Sequence, residues 1–294
     1  MLDRQELRAI VRGTYDLQKL RIMIGNRIVS NFRAKLGQNP GEPLTDKESE
    51  ALIKRIRLEY SRITDGLLKL PTPKNFKGTE VISQYTELAL VHQYETLLKQ
   101  EEDSFKHLQK ILSLSEFYEE WLSHVKGCGP KIAGIILSEI DIHKAEYPSS
   151  IHAYAGLDVG PDSRGRSRRK EHQVTRTYTD KEGNQQTKQS ITFNPFLKTK
   201  LIGVLGPSFL KSKSPYADYY YNYRRRLENH PAHQDKTKAH RHNMAIRYMV
   251  KRFLIDLYKA WREHEELPVA PEYSEAKLGI QHGKAQVTEP SKVA

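Results

Sequence analysis

The chain has one cysteine, Cys128, among its 294 residues. An internal disulfide is therefore excluded, which fits a reducing compartment. Cys128 sits between glycines in "GCGPKIAG", ahead of an apolar helix, and reads as a small packing residue. No apolar run approaches the roughly 20 residues that a membrane-spanning helix needs. The opening "MLDRQELRAIVRG" is charged throughout and lacks the apolar core of a signal peptide. These absences predict a soluble, cytoplasmic protein that makes no membrane contact. Carboxylates are also short: 36 Asp and Glu stand against 48 Lys and Arg, a formal net charge of +12. A solvated basic surface would account for that excess, but it favours a polyanionic partner, nucleic acid before membrane, and so a nucleoid-associated location. Hydrophobic residues make up only 37%, yet the length is enough for one large or two ordinary domains with a real core.

Apolar residues at helical spacing predict three long amphipathic helices, over 3–36, 46–70 and 79–112. The first carries Leu7, Ile10, Val11, Tyr15, Leu17, Leu20, Ile24, Ile28 and Phe32; the second Leu52, Ile56, Tyr60, Ile63 and Leu67; the third Leu88, Val91, Tyr94, Leu98, Phe105, Leu108 and Leu112. Between the first two, "GQNPGEP" breaks the chain. The second opens on a capping-box pattern, Thr45 with Glu48 three residues on. Together they read as an antiparallel helical hairpin or coiled coil. Its stripes either pair with another copy, giving a homo-oligomer through residues 3–112, or pack within their own domain.

Beyond about residue 115 the texture changes. "KGCGPKIAGIILSEI" has a Gly-x-Gly turn and a proline at the first position of an apolar helix, a helix–hairpin–helix pattern. Gly127 and Gly129 would let backbone N–H groups approach a phosphate, with Lys131 adding charge. An ordinary tight helix–helix turn is the plainer alternative. "YPSSIHAYAGL" then reads as a short helix capped by Ser149 or Ser150 and ended by Gly156. The "GLDVG" that follows resembles the first strand of a ribonuclease-H-like nuclease with Asp158 as metal ligand. The capped helix before it, and the lack of further carboxylates at strand ends downstream, exclude that reading. Residues 158–171 are instead a basic loop holding Arg164, Arg166, Arg168, Arg169 and Lys170, with Ser163 and Ser167 among them.

A β-hairpin is expected over about 173–193, around the turn "DKEGN". Helix resumes at Pro195 and again in "SPYADYYYNYRRRLEN", whose tyrosines suit either a buried face or stacking with nucleic acid. The connector "HPAHQDKTKAHRH" is too weak a pattern for zinc, so no metal site is assigned. His240, Arg241 and Arg247 are read instead as phosphate-facing, the last of them on a final apolar helix beginning at "NMAIRYMV". The fold class is mainly α: a helical region over 1–112, a helix–hairpin–helix-containing helical domain with one β-hairpin over 113–266, and a mobile tail over 267–294.

The order "GCGPKIAGIILSEI", "YAGLDVGPDSRG", "ITFNPFLKTKLIGVLGPSFLK", "YADYYYNYRRRL", "AHRHNMAIRYMVKRFLIDLYKAW" resembles the C-terminal half of the IS-one-ten family of insertion-sequence transposases, the DEDD-type, bridge-RNA-guided recombinases. The resemblance covers about 115–265. It implies a serine after the "GL" helix end that attacks a DNA phosphodiester and holds it covalently. Ser163 in "PDSRG" falls there, with Ser167 the second choice. The family's ribonuclease-H-like domain, with its four acidic metal ligands, has no counterpart before residue 115. The resemblance thus implies no cofactor in this chain, with Mg2+ expected only where a separate nuclease-domain partner supplies the acidic site. DNA is the expected partner, with a structured guide RNA as a further possibility. The alternative function is a non-catalytic DNA- or structured-RNA-binding accessory or regulatory protein.

Overall fold

A computed structural model of the chain describes residues 3–35, 37 and 43–272. Most of the "GQNPGEP" break and the tail from residue 273 on lie outside them. The fold is mainly helical, with a single two-stranded antiparallel hairpin among the described residues. The chain divides into two compact units, Gln5–Ile111 and Leu112–Ala294, the second also including Met1–Arg4.

Three helices build the first unit: α1 (Arg4–Phe32), α2 (Asp46–Thr64) and α3 (Tyr85–Leu112). Ile24, Ile28 and Phe32 of α1 pack with Leu52 and Ile56 of α2 and with Leu88, Val91 and Tyr94 of α3. The capping box forms as its sequence requires: Thr45 Oγ1 accepts from the Glu48 N–H, and Glu48 accepts from the Thr45 N–H at 2.8 Å. All three helices are shorter than the apolar spacing suggests, α1 ending at Phe32 rather than at 36. α2 stops at Thr64, before Gly66, which has φ +68°, and α3 starts at Tyr85 rather than at 79. Ile82 nevertheless lies in the core, buried by an irregular segment instead of a helix face.

The second unit is organised around its last helix, α10 (Lys238–His264). α4 (Glu116–Glu120) leads through a 3₁₀ turn to α5 (Pro130–Glu139), whose residues from Ile132 on are buried. α6 (Pro148–Tyr154) begins on Pro148 with Tyr147 as N-cap; Ser149 and Ser150 lie inside it and do not cap. The hairpin pairs β1 (Val174–Thr179) with β2 (Gln185–Ser190). Asn194 then caps α7 (Pro195–Lys200), accepting from the Phe196 and Leu197 N–H groups while its amide donates to the buried Glu139 of α5 at 2.6 Å.

α7 continues through a π-helical turn, Leu201–Leu205, into α8 (Gly206–Lys211). Pro207 explains the turn. It has no N–H to give and would clash with the carbonyl four residues back, so the helix widens and Gly206 donates to Leu201, five back. α9 (Ala217–Asn229) packs on α10 (Lys238–His264). α10 starts five residues before "NMAIRYMV", capped by Thr237, so His240 and His242 are helical rather than part of a connector. Cys128 is buried, and burial pushes its thiol up to about 12, as suits a packing residue. No helix among the described residues is long and apolar enough to cross a membrane.

Candidate nucleic-acid interface

The loop after α6 is built by its end residues. Gly156 takes φ +65° and ends the helix, with the ring of Phe193 packed where a Cβ would stand. The chain then doubles back. Val159 and Gly165 pair as an antiparallel bridge, the Gly160 N–H donates to the Arg164 carbonyl at 2.7 Å, and the Ser163 N–H to that of Gly160 at 3.1 Å. Ser163 stands at the tip with φ +58°, a left-handed conformation that costs a non-glycine residue on the order of 1–2 kcal/mol.

The base of this small hairpin is held by ions. Asp158 accepts two hydrogen bonds from Arg166, at 3.0 and 2.7 Å. Lys198 donates to the Arg166 carbonyl, and Arg247 reaches the Gly156 and Asp158 carbonyls at 3.3 and 3.4 Å. Burial, aided by Arg247, brings the Lys198 amine down to about 8. Burial also lowers Arg247, and burial with Arg247 beside it lowers Lys251. These cations are poised to gain from an incoming anion, which would replace lost hydration and relieve their mutual repulsion.

A second network fixes the rest of the loop. Asp162 Oδ1 meets His172 Nε2 at 2.8 Å and accepts the Arg164 N–H at 3.0 Å. His172 Nδ1 lies 2.9 Å from the Ser167 N–H and 3.0 Å from Ser167 Oγ. The hydrogen bond from His172 holds the Asp162 carboxyl below its ordinary range, with help from the Arg164 N–H and Arg169. The imidazole is fully buried, and Gly160 makes room for it: a Cβ there would lie 2.6 Å from Nε2.

The loop, α9, α10 and the segment before α10 enclose an open cleft of about 1080 Å³. Five cationic side chains line it: Arg164, Arg169, Lys236, Arg247 and Lys251. Ser163, His233 and His240 lie among them, Asp235 is the one carboxylate of the lining, and Tyr223 and Tyr248 form a stacked pair with ring centroids 4.4 Å apart.

Of the residues singled out in the sequence, Ser163, Arg164, Arg169, His240 and Arg247 converge on this cleft. The others do not line it. Arg166 is engaged with Asp158, while Arg168 and Lys170 are exposed elsewhere on the loop. Arg241 spends its guanidinium on the His233 and Lys236 carbonyls, fixing the segment before α10. At the Gly-x-Gly turn, the Gly127 carbonyl accepts from Ser208, and neither Gly129 nor Lys131 belongs to the cleft. Most of the tyrosines serve the core, as Tyr216 does against Phe209 and Phe253, while Tyr223 faces the cleft.

Lys251, Lys236 and His172 went unread. The first had a legible signal, because His240, Met244, Arg247 and Lys251 recur at helical spacing along α10. Among the described residues, no three His, Cys, Asp or Glu side chains cluster as a metal site would require. The acidic Mg2+ site of the resemblance therefore has no fit among them.

Residues 119–192 match the transposase family described as IS116/IS110/IS902. No curated protein and no solved structure matches the chain. The matching segment spans the turn before α5, α6, the whole serine-bearing loop and the hairpin, but not α9 and α10, which supply the opposite side of the cleft.

Proposed function

We propose that this protein is a transposase- or recombinase-like DNA-binding protein, in which the cleft grips phosphates and the 158–172 loop presents a serine for strand transfer. The observation that carries the reading is the convergence of five cations with the strained Ser163 tip, on a loop inside the transposase-family segment. In such a step a serine oxygen displaces a deoxyribose oxygen from phosphorus. Arg164 and Arg169 meet the charge that builds on the phosphoryl oxygens. Ser163 lines the cleft, and Ser167 lies four residues on. The acidic metal site comes from a separate chain, and self-association uses residues 3–112. Whether a structured RNA binds as well is read from the same assay with RNA as competitor.

The test is trapping of a covalent protein–DNA adduct on labelled oligonucleotides, with and without a candidate partner bearing the acidic site. An adduct that the double substitution Ser163→Ala, Ser167→Ala removes, with DNA affinity kept, is the expected result. Salt-dependent binding without an adduct under any condition would leave the accessory, non-catalytic role. Light scattering on the full chain, giving a dimer mass, checks the self-association.

A further inference from the structure

The tyrosines of α9 and α10 are held in two ways. Tyr216 and Tyr220 are tied by their hydroxyls: Tyr216 donates to Asp256 at 3.0 Å, and Tyr220 accepts from Arg224 at 2.7 Å. Tyr223 and Tyr248 are held by their rings. Phe209, fully buried, stacks on Tyr216 at 5.1 Å, and Tyr216 on Tyr219 at 6.4 Å. Tyr219 then meets Tyr248 edge-on at 6.4 Å, and Tyr248 stacks on Tyr223 at 4.4 Å with 20° between the planes. The column thus starts in the core and ends in the cleft, at the half-buried Tyr223. No further ring meets Tyr223 among the described residues. Two apolar side chains share the cleft with it: Met244, one turn before Tyr248 on α10, and Val159 on the loop, which is 57% exposed. A groove that only tracks a phosphate backbone needs cations and gains nothing from rings or methyl groups.

We propose that the cleft takes an unpaired DNA strand, with one base stacked on the Tyr223 ring and a flanking phosphate on Lys251. The proposal rests on the reading of the cleft as a phosphate site and adds the form in which DNA enters it. In a duplex each base has both faces covered by its neighbours, so only a base drawn out of the stack can extend the column. Every base has such a face, so the fit selects strandedness rather than sequence. The platform is already in place. Two helices carry it and the stack behind it fixes the ring, so little side-chain freedom is lost on binding. The cations stand at a matching range. Arg247 directly precedes Tyr248, and Lys251 follows it by one turn, the spacing at which helical side chains are neighbours, about 5–6 Å between Cβ atoms. A nucleotide's base and its own phosphate are separated by a similar span.

Three fluorescent probes of equal length separate the base from the backbone: oligothymidylate, an abasic strand carrying the same phosphates, and a blunt duplex of the thymidylate with its complement. Each is titrated with the full chain and followed by anisotropy. Thymidylate should bind roughly tenfold more tightly than the abasic strand, as one stacked base contributes. Tyr223→Ala should remove that margin, while leaving the abasic strand, the duplex and the salt slopes unchanged. Tyr223→Phe, which keeps the ring, should restore it. Circular dichroism confirms that Y223A is folded; if it is not, Tyr223→Leu, which keeps apolar bulk without an aromatic face, takes its place. Equal binding of thymidylate and abasic strand by the parent chain, with a steep salt slope, overturns the proposal and leaves the phosphate cleft standing. A Y223A variant that weakens all three probes alike overturns the stacking, because the ring then only shapes the cleft. Oligouridylate bound more tightly than thymidylate overturns DNA as the occupant. Binding that is flat with salt removes the phosphate reading itself, and the proposal with it.

Discussion

Substituting two of the five cleft cations should change the salt dependence of nucleic-acid binding by an amount the structure sets. Arg164, Arg169, Lys236, Arg247 and Lys251 are within one cleft, and each is taken to neutralise one phosphate. A slope of about 0.7 per phosphate on a single strand gives a log–log slope near −3.5, and about 0.9 on a duplex gives near −4.5. Between about 50 and 200 mM salt, affinity should fall roughly 100-fold on the single strand and roughly 500-fold on the duplex. Arg164→Gln with Lys251→Met leaves three cations. The slopes then become about −2.1 and −2.7, and the same salt step costs only about 20- and 40-fold. These two positions are chosen because neither side chain takes part in the Ser167 network. Fluorescence anisotropy of a labelled oligonucleotide at five or six salt concentrations measures both slopes. Binding that is flat with salt, or a double variant with the parent's slope, would refute the assignment of the cleft as the phosphate site.

Three further outcomes follow from the same structure. Asp235→Asn removes the one carboxylate of the lining and should tighten binding severalfold at low salt, read by the same anisotropy titration; unchanged affinity would mean that bound phosphates lie away from the Asp235 side of the cleft. Burial, with Lys251 nearby, pulls His152 down to about 4, so the unfolded chain takes up a proton near the ordinary imidazole value before the native state does. Stability should therefore fall as pH drops from about 6.5 to about 4, by up to about 3 kcal/mol, and level off below; urea melts across that range should lose the slope in His152→Gln. Gly156→Ala forces a left-handed alanine whose Cβ would lie 2.6 Å from the Phe193 ring, and should cost roughly 2–4 kcal/mol in the urea midpoint. A loss under about 0.5 kcal/mol would show that the turn relaxes freely.

The parts of this fold that were legible in the sequence are those governed by local rules. Helical periodicity marked α1, α3 and α10, the Thr45–Glu48 spacing gave the start of α2, and "DKEGN" marked the β-turn. The misplacements have local causes of another kind. Apolar residues such as Ile82 enter the core from an irregular segment, so periodicity overran the start of α3. A proline at the first helical position displaced the cap of α6 from Ser149 or Ser150 to Tyr147. For the site, the arginine-rich loop stood out by composition, but composition does not say which guanidinium already has a partner. Arg166 and Arg241 are consumed by Asp158 and by backbone carbonyls, while Arg164 lines the cleft and Arg169 lines it while also pairing with Asp162 and Ser167. His172 was invisible for the same reason. Its meaning lies in which nitrogen faces Ser167 and which faces Asp162, and that orientation is a property of the folded loop.

The hairpin Val174–Ser190 contributes no buried residue to the core. Both its roots, by contrast, are tied down, at the buried His172 just before it and at Phe193 and Asn194 just after. Its tip, Asp180–Asn184, is closed by local bonds alone, the Asp180 side chain accepting the Glu182 and Asn184 N–H groups. Lengthening, shortening or replacing this arm should therefore leave the folding of the domain intact. It is the natural place to graft a fluorophore, an affinity tag or a foreign peptide, and the place where related chains are freest to differ in length while the loop beside it keeps its shape.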